Sequence, residues 1–452
     1  MLNLNFKDRN FYNKMFAIAV PIMLQNLMSS LLNMIGTVMV GVLGEAQLAA
    51  VGLANQVFFV FFLLIYGINS GCGIFIAQYW GCKDEDNIST TVGFSVVVGA
   101  VVGLLFTLVA LYMPRQIMQL FTVDNAVIEY GIIYMRFVSL SYVLTSISIA
   151  YMFAARNIGD VKGPMMISAV SLIMNGAFSF ILIFGYLGFP RLEVEGAAMA
   201  TVLARLVEAV ALVYWVYVVR KNKVISPRLK DIKRLNFKYI KNILITAIPV
   251  ILNDVFWAVG MAMYSAAYAR IGTTAIAAIQ IANTIQNIFI VISIGLASSC
   301  AVIIGNEIGS GDKEKAILYA KRFLIIGTLA GLLLGILLIL VSPIILIMFS
   351  NTQAVQQLAQ KIMLIMGIFL WCRFLNSILV VGVLRSGGDT TFSMILETCS
   401  VWVVGVPLAF AGALWWHLPV YVVYTLICLE ELIKAYFGIK RVRSNKWVRD
   451  VR

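Results

Sequence analysis

One histidine, His417, occurs in 452 residues. It lies at the outer edge of the last apolar run, where a His-based metal site or catalytic triad is hard to assemble. The six cysteines, Cys72, Cys82, Cys300, Cys372, Cys399 and Cys428, include no CxxC pair. Disulfide and zinc-ribbon readings therefore fall away. No GxxxxGK[ST] loop is present, so nucleotide hydrolysis by that route is excluded. Charged residues make up only 12% of the chain, against about a quarter in an ordinary soluble domain. Strict apolar–polar alternation is missing as well, which argues against an outer-membrane barrel.

What remains is apolar: 61% of residues are hydrophobic. The apolar runs repeatedly reach the roughly 20 residues that a helix needs to cross a bilayer. They predict spans near 15–40, 50–79, 91–113, 127–154, 164–187 and 195–219, then near 241–268, 274–305, 320–348, 355–383, 392–413 and 417–439. The fold class expected is an all-α integral membrane protein with twelve transmembrane helices, six in each half. Lys7, Arg9 and Lys14 precede the first run without a small-residue cleavage site, so that run reads as a retained helix.

The net charge of +13 would suit nucleic acid, but its distribution points elsewhere. Lys and Arg gather at the N-terminus, near Lys83, across 156–162 and 313–322, at Arg385, in 220–241 and after Lys440. These are alternate loops. The loops between them hold Glu45, Asp124, Glu129, Glu193 and Glu195, with few basic residues. The positive-inside rule then predicts both termini in the cytoplasm; the location expected is the plasma membrane, with membrane lipids as neighbours.

The chain also repeats itself. Shifted by 228 positions, 19–84 falls without a gap on 247–312. Pro21 meets Pro249, Gly44 meets Gly272, Asn55 meets Asn283, Cys72 meets Cys300 and Asp84 meets Asp312. Gly99 and Gly103 fall on Gly327 and Gly331, two GxxxG spacings suited to close helix packing. One residue later, Arg156, Gly159 and Asp160 meet Arg385, Gly388 and Asp389. An even number of spans per half makes the copies parallel repeats, which points to a transporter working from the cleft between two lobes. The expected organisation is an N-terminal six-helix lobe (1–219), a basic amphipathic cytoplasmic linker (220–240), a C-terminal six-helix lobe (241–440) and a basic cytoplasmic tail (441–452). In the linker, Ser226 and Pro227 suit an N-cap and first helical position. Leu229, Ile232, Leu235 and Tyr239 then recur at helical spacing, predicting a helix lying on the anionic leaflet.

Ionisable residues inside spans are costly and therefore candidates for function. Asp254, beside Asn253 in span 7, leads them. Trp257, Met261 and Tyr268 follow at helical spacing on its face. A carboxylate near a large aromatic and a thioether suits an organic cation; the alternative is a partly wet acid near the start of its helix. Glu397 in span 11 is either a second coupling acid or an acid that snorkels to the surface. Arg205 and Glu208, at i and i+3, read as an ion pair. Arg373 requires a partner, and Glu307 has Lys313 or Arg322 nearby. Asn175 belongs to a larger set of intramembrane amides that either bind across helices or line a cavity.

Several motifs resemble the multidrug and toxin extrusion (MATE) family over essentially the whole length. They are Ala19-Val20-Pro21 with Thr37-Val38-Met39-Val40-Gly41, and Ala77-Gln78-Tyr79-Trp80-Gly81. The turns Arg156-Asn157-Ile158-Gly159-Asp160 and Arg385-Ser386-Gly387-Gly388-Asp389, and Gly305-Asn306-Glu307-Ile308-Gly309, add to them. The stretch Pro249 to Trp257 is similar to span 7 of a branch common in Gram-positive bacteria. The resemblance implies a V-shaped pair of six-helix lobes. It also implies a secondary active antiporter exporting bulky, often cationic organic compounds in exchange for H+ or Na+, without an organic cofactor or resident metal and not as an enzyme. Many members carry an acid in span 1 where this chain has Gly36, and another in span 5, four residues after the asparagine that matches Asn175, where it has Ser179. Coupling is therefore expected in the C-terminal half, with Asp254 first. The related alternative is a lipid-linked precursor flippase of the same superfamily. A membrane enzyme lacks the necessary histidine–carboxylate cluster, and a channel does not require an acid facing an aromatic pocket. Two internal repeats already supply a complete cleft, so a monomer is expected.

Overall fold

The computed structural model describes residues 8–220, 224–228, 231, 234–347 and 352–452. Among them the structure is helical, with no strand. The helices are α1 (Arg9–Gly41), α2 (Glu45–Gly81), α3 (Glu85–Tyr112), α4 (Pro114–Gln119), α5 (Asn125–Val138), α6 (Ser141–Asn157), α7 (Lys162–Phe184) and α8 (Glu193–Tyr214). The second half holds α9 (Phe237–Ile271), α10 (Thr273–Gly309), α11 (Lys313–Ile347), α12 (Gln353–Ser377), α13 (Thr390–Cys399), a short α14 (Val406–Phe410) and α15 (Val420–Arg443). Wider π turns extend α8 through Trp215–Val219 and α12 through Ile378–Arg385, and flank α14 at Ser400–Gly405 and Ala411–Trp415.

The repeat is visible in the helix starts. Arg9, Glu45, Glu85, Asn125 and Lys162 begin helices, and Phe237, Thr273, Lys313, Gln353 and Thr390 begin theirs 228 residues later. Gly44 and Gly272 introduce α2 and α10 with the same backbone, φ 143° and 142°, a conformation open to glycine and strained for other residues. Asp84 caps α3 by accepting from the Asn87 amide, and Asp124 caps α5 by accepting from that of Ala126. The GxxxG spacings bring helix backbones close. A Cβ on Gly103 would lie 3.0 Å from the Val143 Cα, and one on Gly331 2.5 Å from the Trp371 Cα.

Among the described residues, ten helices are long and apolar enough to cross a membrane, and the α5–α6 pair, bent by 49°, makes eleven if it is one span. The protein is multi-pass. The twelfth expected span corresponds to α15, whose apolar run is interrupted by Glu430, Glu431 and Lys434.

Two compact units are present, one of residues 24–247 and one of residues 1–23 with 248–452. Their limits fall inside α1 and α9, so each unit includes a helix segment from the other repeat. In the first unit, Phe61 stacks on Tyr142 at 4.9 Å within a core that includes Ala50, Ile128 and Met135. Asn69 accepts from Ser95 at 2.6 Å in the same interior. In the second, Ile362, Met363, Val401 and Val423 surround Ala278 and Ala282. The Met15 carbonyl accepts from Ser299, and Phe11 packs on Tyr319 and Phe323.

The expected linker helix does not start at Ser226. Residues 226–228 are non-helical, while Leu229 and Ile232 lie outside the described residues. Val224 and Ile225 are buried, and so is Asp231, which accepts from Ser89 at 3.0 Å and from the Arg228 amide at 2.9 Å. Tyr239, expected on the apolar face, pairs through its hydroxyl with Thr91 at 2.7 Å. These polar contacts fasten the segment to α3.

Candidate functional site

Three sets of charged side chains within the helices bear on the candidate residues, and of these three the first holds one acid more than it holds bases. The first joins α9, α12 and α13. Asp254 accepts from the Arg385 guanidinium at 2.8 Å. The same guanidinium lies 3.8 Å from Glu397, and the Asn253 amide donates to Glu397 at 2.7 Å. The local chain explains this convergence. After the π turn ending at Arg385, Gly388 adopts φ 82°, its amide donating to the Arg385 carbonyl and that of Asp389 to Leu384. This left-handed close of a helix needs glycine. It starts α13 beside the guanidinium, and Glu397 points back at it two turns on. Two carboxylates thus share one cation within 4 Å.

Arg385 was not singled out in the sequence as a site residue, yet it is the partner of the leading candidate. The structure does not place Asp254 in an aromatic pocket of its own. Tyr268, expected on its face, is buried in the interior, whereas Trp257 is 41% exposed. Met261 packs at the border of the core that includes Tyr264 and Tyr268.

The second set lies in the same unit; it supplies the partner that Arg373 requires, Glu431, through residues the sequence reading does not single out. Tyr264 of α9 donates to Glu430 of α15. Lys434 lies 3.8 Å from Glu430 and 3.6 Å from Glu431. Asn376 donates to Glu431 at 2.6 Å, and Arg373 approaches the same carboxylate at 4.0 Å while facing the Tyr424 ring. Two acids and two bases close to neutrality. The available signal was Glu430, Glu431 and Lys434 at i, i+1 and i+4 in an otherwise apolar run, with opposite charges at helical contact spacing.

The third set belongs to the unit of residues 24–247. Arg205 pairs with Glu208 at 2.7 Å, Ser168 donates to Glu208 at 2.8 Å, and Gln25 donates to Ser168 at 3.0 Å. Asn175, on α7, accepts from Ser179 at 3.4 Å. A Cβ on Gly36 would meet nothing within 4 Å. Glu307 pairs with Lys315 at 2.9 Å rather than with Lys313 or Arg322, because Arg322 is engaged by Asp8 at 2.9 Å. Among the described residues no group of three or more His, Cys, Asp or Glu is arranged to hold a metal ion.

Comparison with known proteins gives this geometry its context. The chain is 23% identical to the "Probable multidrug resistance protein NorM" of Thermotoga maritima, covering 96% of this chain and 92% of that protein. It is 25% identical to the "Probable multidrug resistance protein YoeA" of Bacillus subtilis, covering 88% and 86%. A crystal structure of a mutant of the Vibrio cholerae MATE transporter VcmN superposes with a TM-score of 0.89 at 16% identity, covering 98% of each chain. That likeness establishes the fold. The family model described as MatE matches twice, over residues 21–181 and 249–411. The second match begins 228 residues after the first, as the internal repeat does, and the chain belongs to the MatE family.

Proposed function

We propose that this protein is a secondary active exporter of bulky organic cations, exchanging them for protons or sodium by alternating access, with coupling at Asp254, Glu397 and Arg385. The supporting observation is the charge count: two carboxylates share one guanidinium, leaving one negative charge to be balanced. A proton or sodium ion balances it in one state and a cationic substrate in the other. Competition for one charge produces exchange. Each charge moved through 100 mV is worth about 2.3 kcal/mol, so one inward cation offsets one outward cationic substrate. The Glu430–Glu431–Lys434–Arg373 and Arg205–Glu208 sets are internally neutral, and serve structure. Asn253 orients Glu397. Trp257 and Met261, one and two turns along α9, supply aromatic and thioether surface to the substrate. Asn175 offers a polar contact on α7. The protein acts as a monomer in the plasma membrane with both ends cytoplasmic.

The test is uptake of a fluorescent organic cation into proteoliposomes under an imposed pH gradient and, separately, a sodium gradient. Wild type responds to one of the two, which names the ion, and Asp254→Asn and Glu397→Gln lose the response. Gradient-driven transport unchanged in both variants overturns the assignment. Absence of gradient-driven transport for several cations, with folded protein, overturns the drug-exporter reading in favour of the lipid-linked precursor flippase.

A further inference from the structure

Past Arg443 the basic segment packs against the rest of its unit. Residues 444–452 fold back over the turn that carries Arg385. Trp447 is fully buried, 0% exposed, the largest side chain so enclosed. Its ring and carbonyl occupy the space beside Gly387, where a Cβ would overlap both. Its indole donates to the Val442 carbonyl at 3.2 Å. The Arg449 amide donates to the Gly387 carbonyl at 2.8 Å. Buried Asp389 takes two guanidiniums, Arg441 at 2.6 Å and Arg449 at 2.9 Å. Farther on, Arg452 donates to the Gly309 carbonyl at 3.0 Å at the end of α10.

Gly387 and Asp389 stand two and four residues after Arg385. Two consecutive glycines give a turn much freedom to lose on ordering. A buried indole, a main-chain hydrogen bond and a doubly paired carboxylate oppose that loss, and all are anchored by the segment after α15. We infer that residues 444–452 are a positioning strap, in which Trp447 and Arg449 hold the Gly387–Asp389 turn and thereby fix the Arg385 guanidinium between Asp254 and Glu397. The strap itself is independent of the proposed function; only its effect on ion coupling rests on that reading.

The test reads the carboxylates directly. Purified full-length protein is treated with a hydrophobic carbodiimide, and labelling of Asp254, Glu397 and Glu208 is followed by peptide mass spectrometry. Arg385→Gln defines the unpaired limit. Trp447→Ala raises labelling of Asp254 and Glu397 toward that limit, by about tenfold if one charge-assisted hydrogen bond is weakened. Trp447→Phe, which keeps a ring on Gly387, stays near wild type, and Glu208 in the other unit stays unchanged in every variant. Arg449→Met, which leaves Trp447 in place, gives a smaller rise in the same direction and carries the test if Trp447→Ala does not fold. Wild-type labelling in both folded variants overturns the strap. If labelling rises in Trp447→Ala while Arg385→Gln transports with normal coupling, the strap stands and the coupling assignment fails. If Arg385→Gln loses coupling while Trp447→Ala and Arg449→Met change neither labelling nor coupling, the strap fails and the assignment stands.

Discussion

Replacing Lys434 with methionine removes the ammonium that lies between two buried acids, at 3.8 Å from Glu430 and 3.6 Å from Glu431. At an effective dielectric constant near 20, each attraction is worth about 4 kcal/mol before desolvation. The carboxylates remain buried after the substitution, with Arg373 at 4.0 Å from Glu431 and the Tyr264 hydroxyl on Glu430. Breaking a buried pair from one side leaves a charge that nothing offsets, and costs about 3–5 kcal/mol. Lys434→Met should therefore destabilise the protein by about that amount, measured by equilibrium unfolding in mixed micelles. Combining it with Glu430→Gln restores neutrality, because Glu431 keeps Arg373 and Asn376. The double variant should recover most of the loss. A cost for Lys434→Met below about 1 kcal/mol, within the range of a surface pair, would refute the reasoning. So would a double variant whose cost is the sum of the two single ones, since the residues would then not be coupled.

Gly331→Ala should destabilise by about 1–3 kcal/mol, the cost of overpacking a close interface, because the new Cβ would lie 2.5 Å from the Trp371 Cα. Gly36→Ala, with open space around it, should stabilise α1 by about 0.4–1 kcal/mol; thermal melts of the two variants against wild type check both signs. Asp8 is held below the usual carboxylate range by the hydrogen bond from Arg322 and that from the Phe11 amide. A depressed acid contributes stability that is complete above its unfolded value near 4 and lost as pH falls through its lower native value. Asp8→Asn should therefore lower the melting temperature at pH 7, and the difference from wild type should vanish once the pH lies below that native value.

The repeat was the most legible part of the fold. Apolar periodicity and the matched glycines, prolines and aspartates anticipated helix starts that recur 228 residues apart, because span length and turn chemistry are local properties. The Arg205–Glu208 pair was legible for the same reason, its members being three residues apart on one helix. Arg385 was seen as part of a turn motif rather than as the partner of Asp254. Their separation of 131 residues leaves no trace in spacing. Glu430, Glu431 and Lys434 were passed over within an apolar run, although their sequence spacing satisfies most of their charge. For the segment after α15, composition indicates a basic cytoplasmic tail and nothing of its packing. Composition registers Arg443, Lys446 and Arg449 but not that Trp447 packs against Gly387. In the linker, likewise, lysines and arginines dominate the composition, which does not register the burial of Asp231.

The division of α1 and α9 between units bears on how the protein is made. Met15 meets Ser299 across 284 residues, and Asp8 meets Arg322 across 314. During synthesis, the opening turns of α1 leave the ribosome long before the helices they complete exist, and must wait in the bilayer with that face unmatched. The unit of residues 24–247 faces the opposite order: it receives its final helix segment, residues 237–247, only when the second repeat begins. Neither repeat is therefore a self-sufficient folding module. Severing the chain near 224–228 would leave each piece holding the helix start that the other requires, an exchange resembling domain swapping, here written into a single polypeptide.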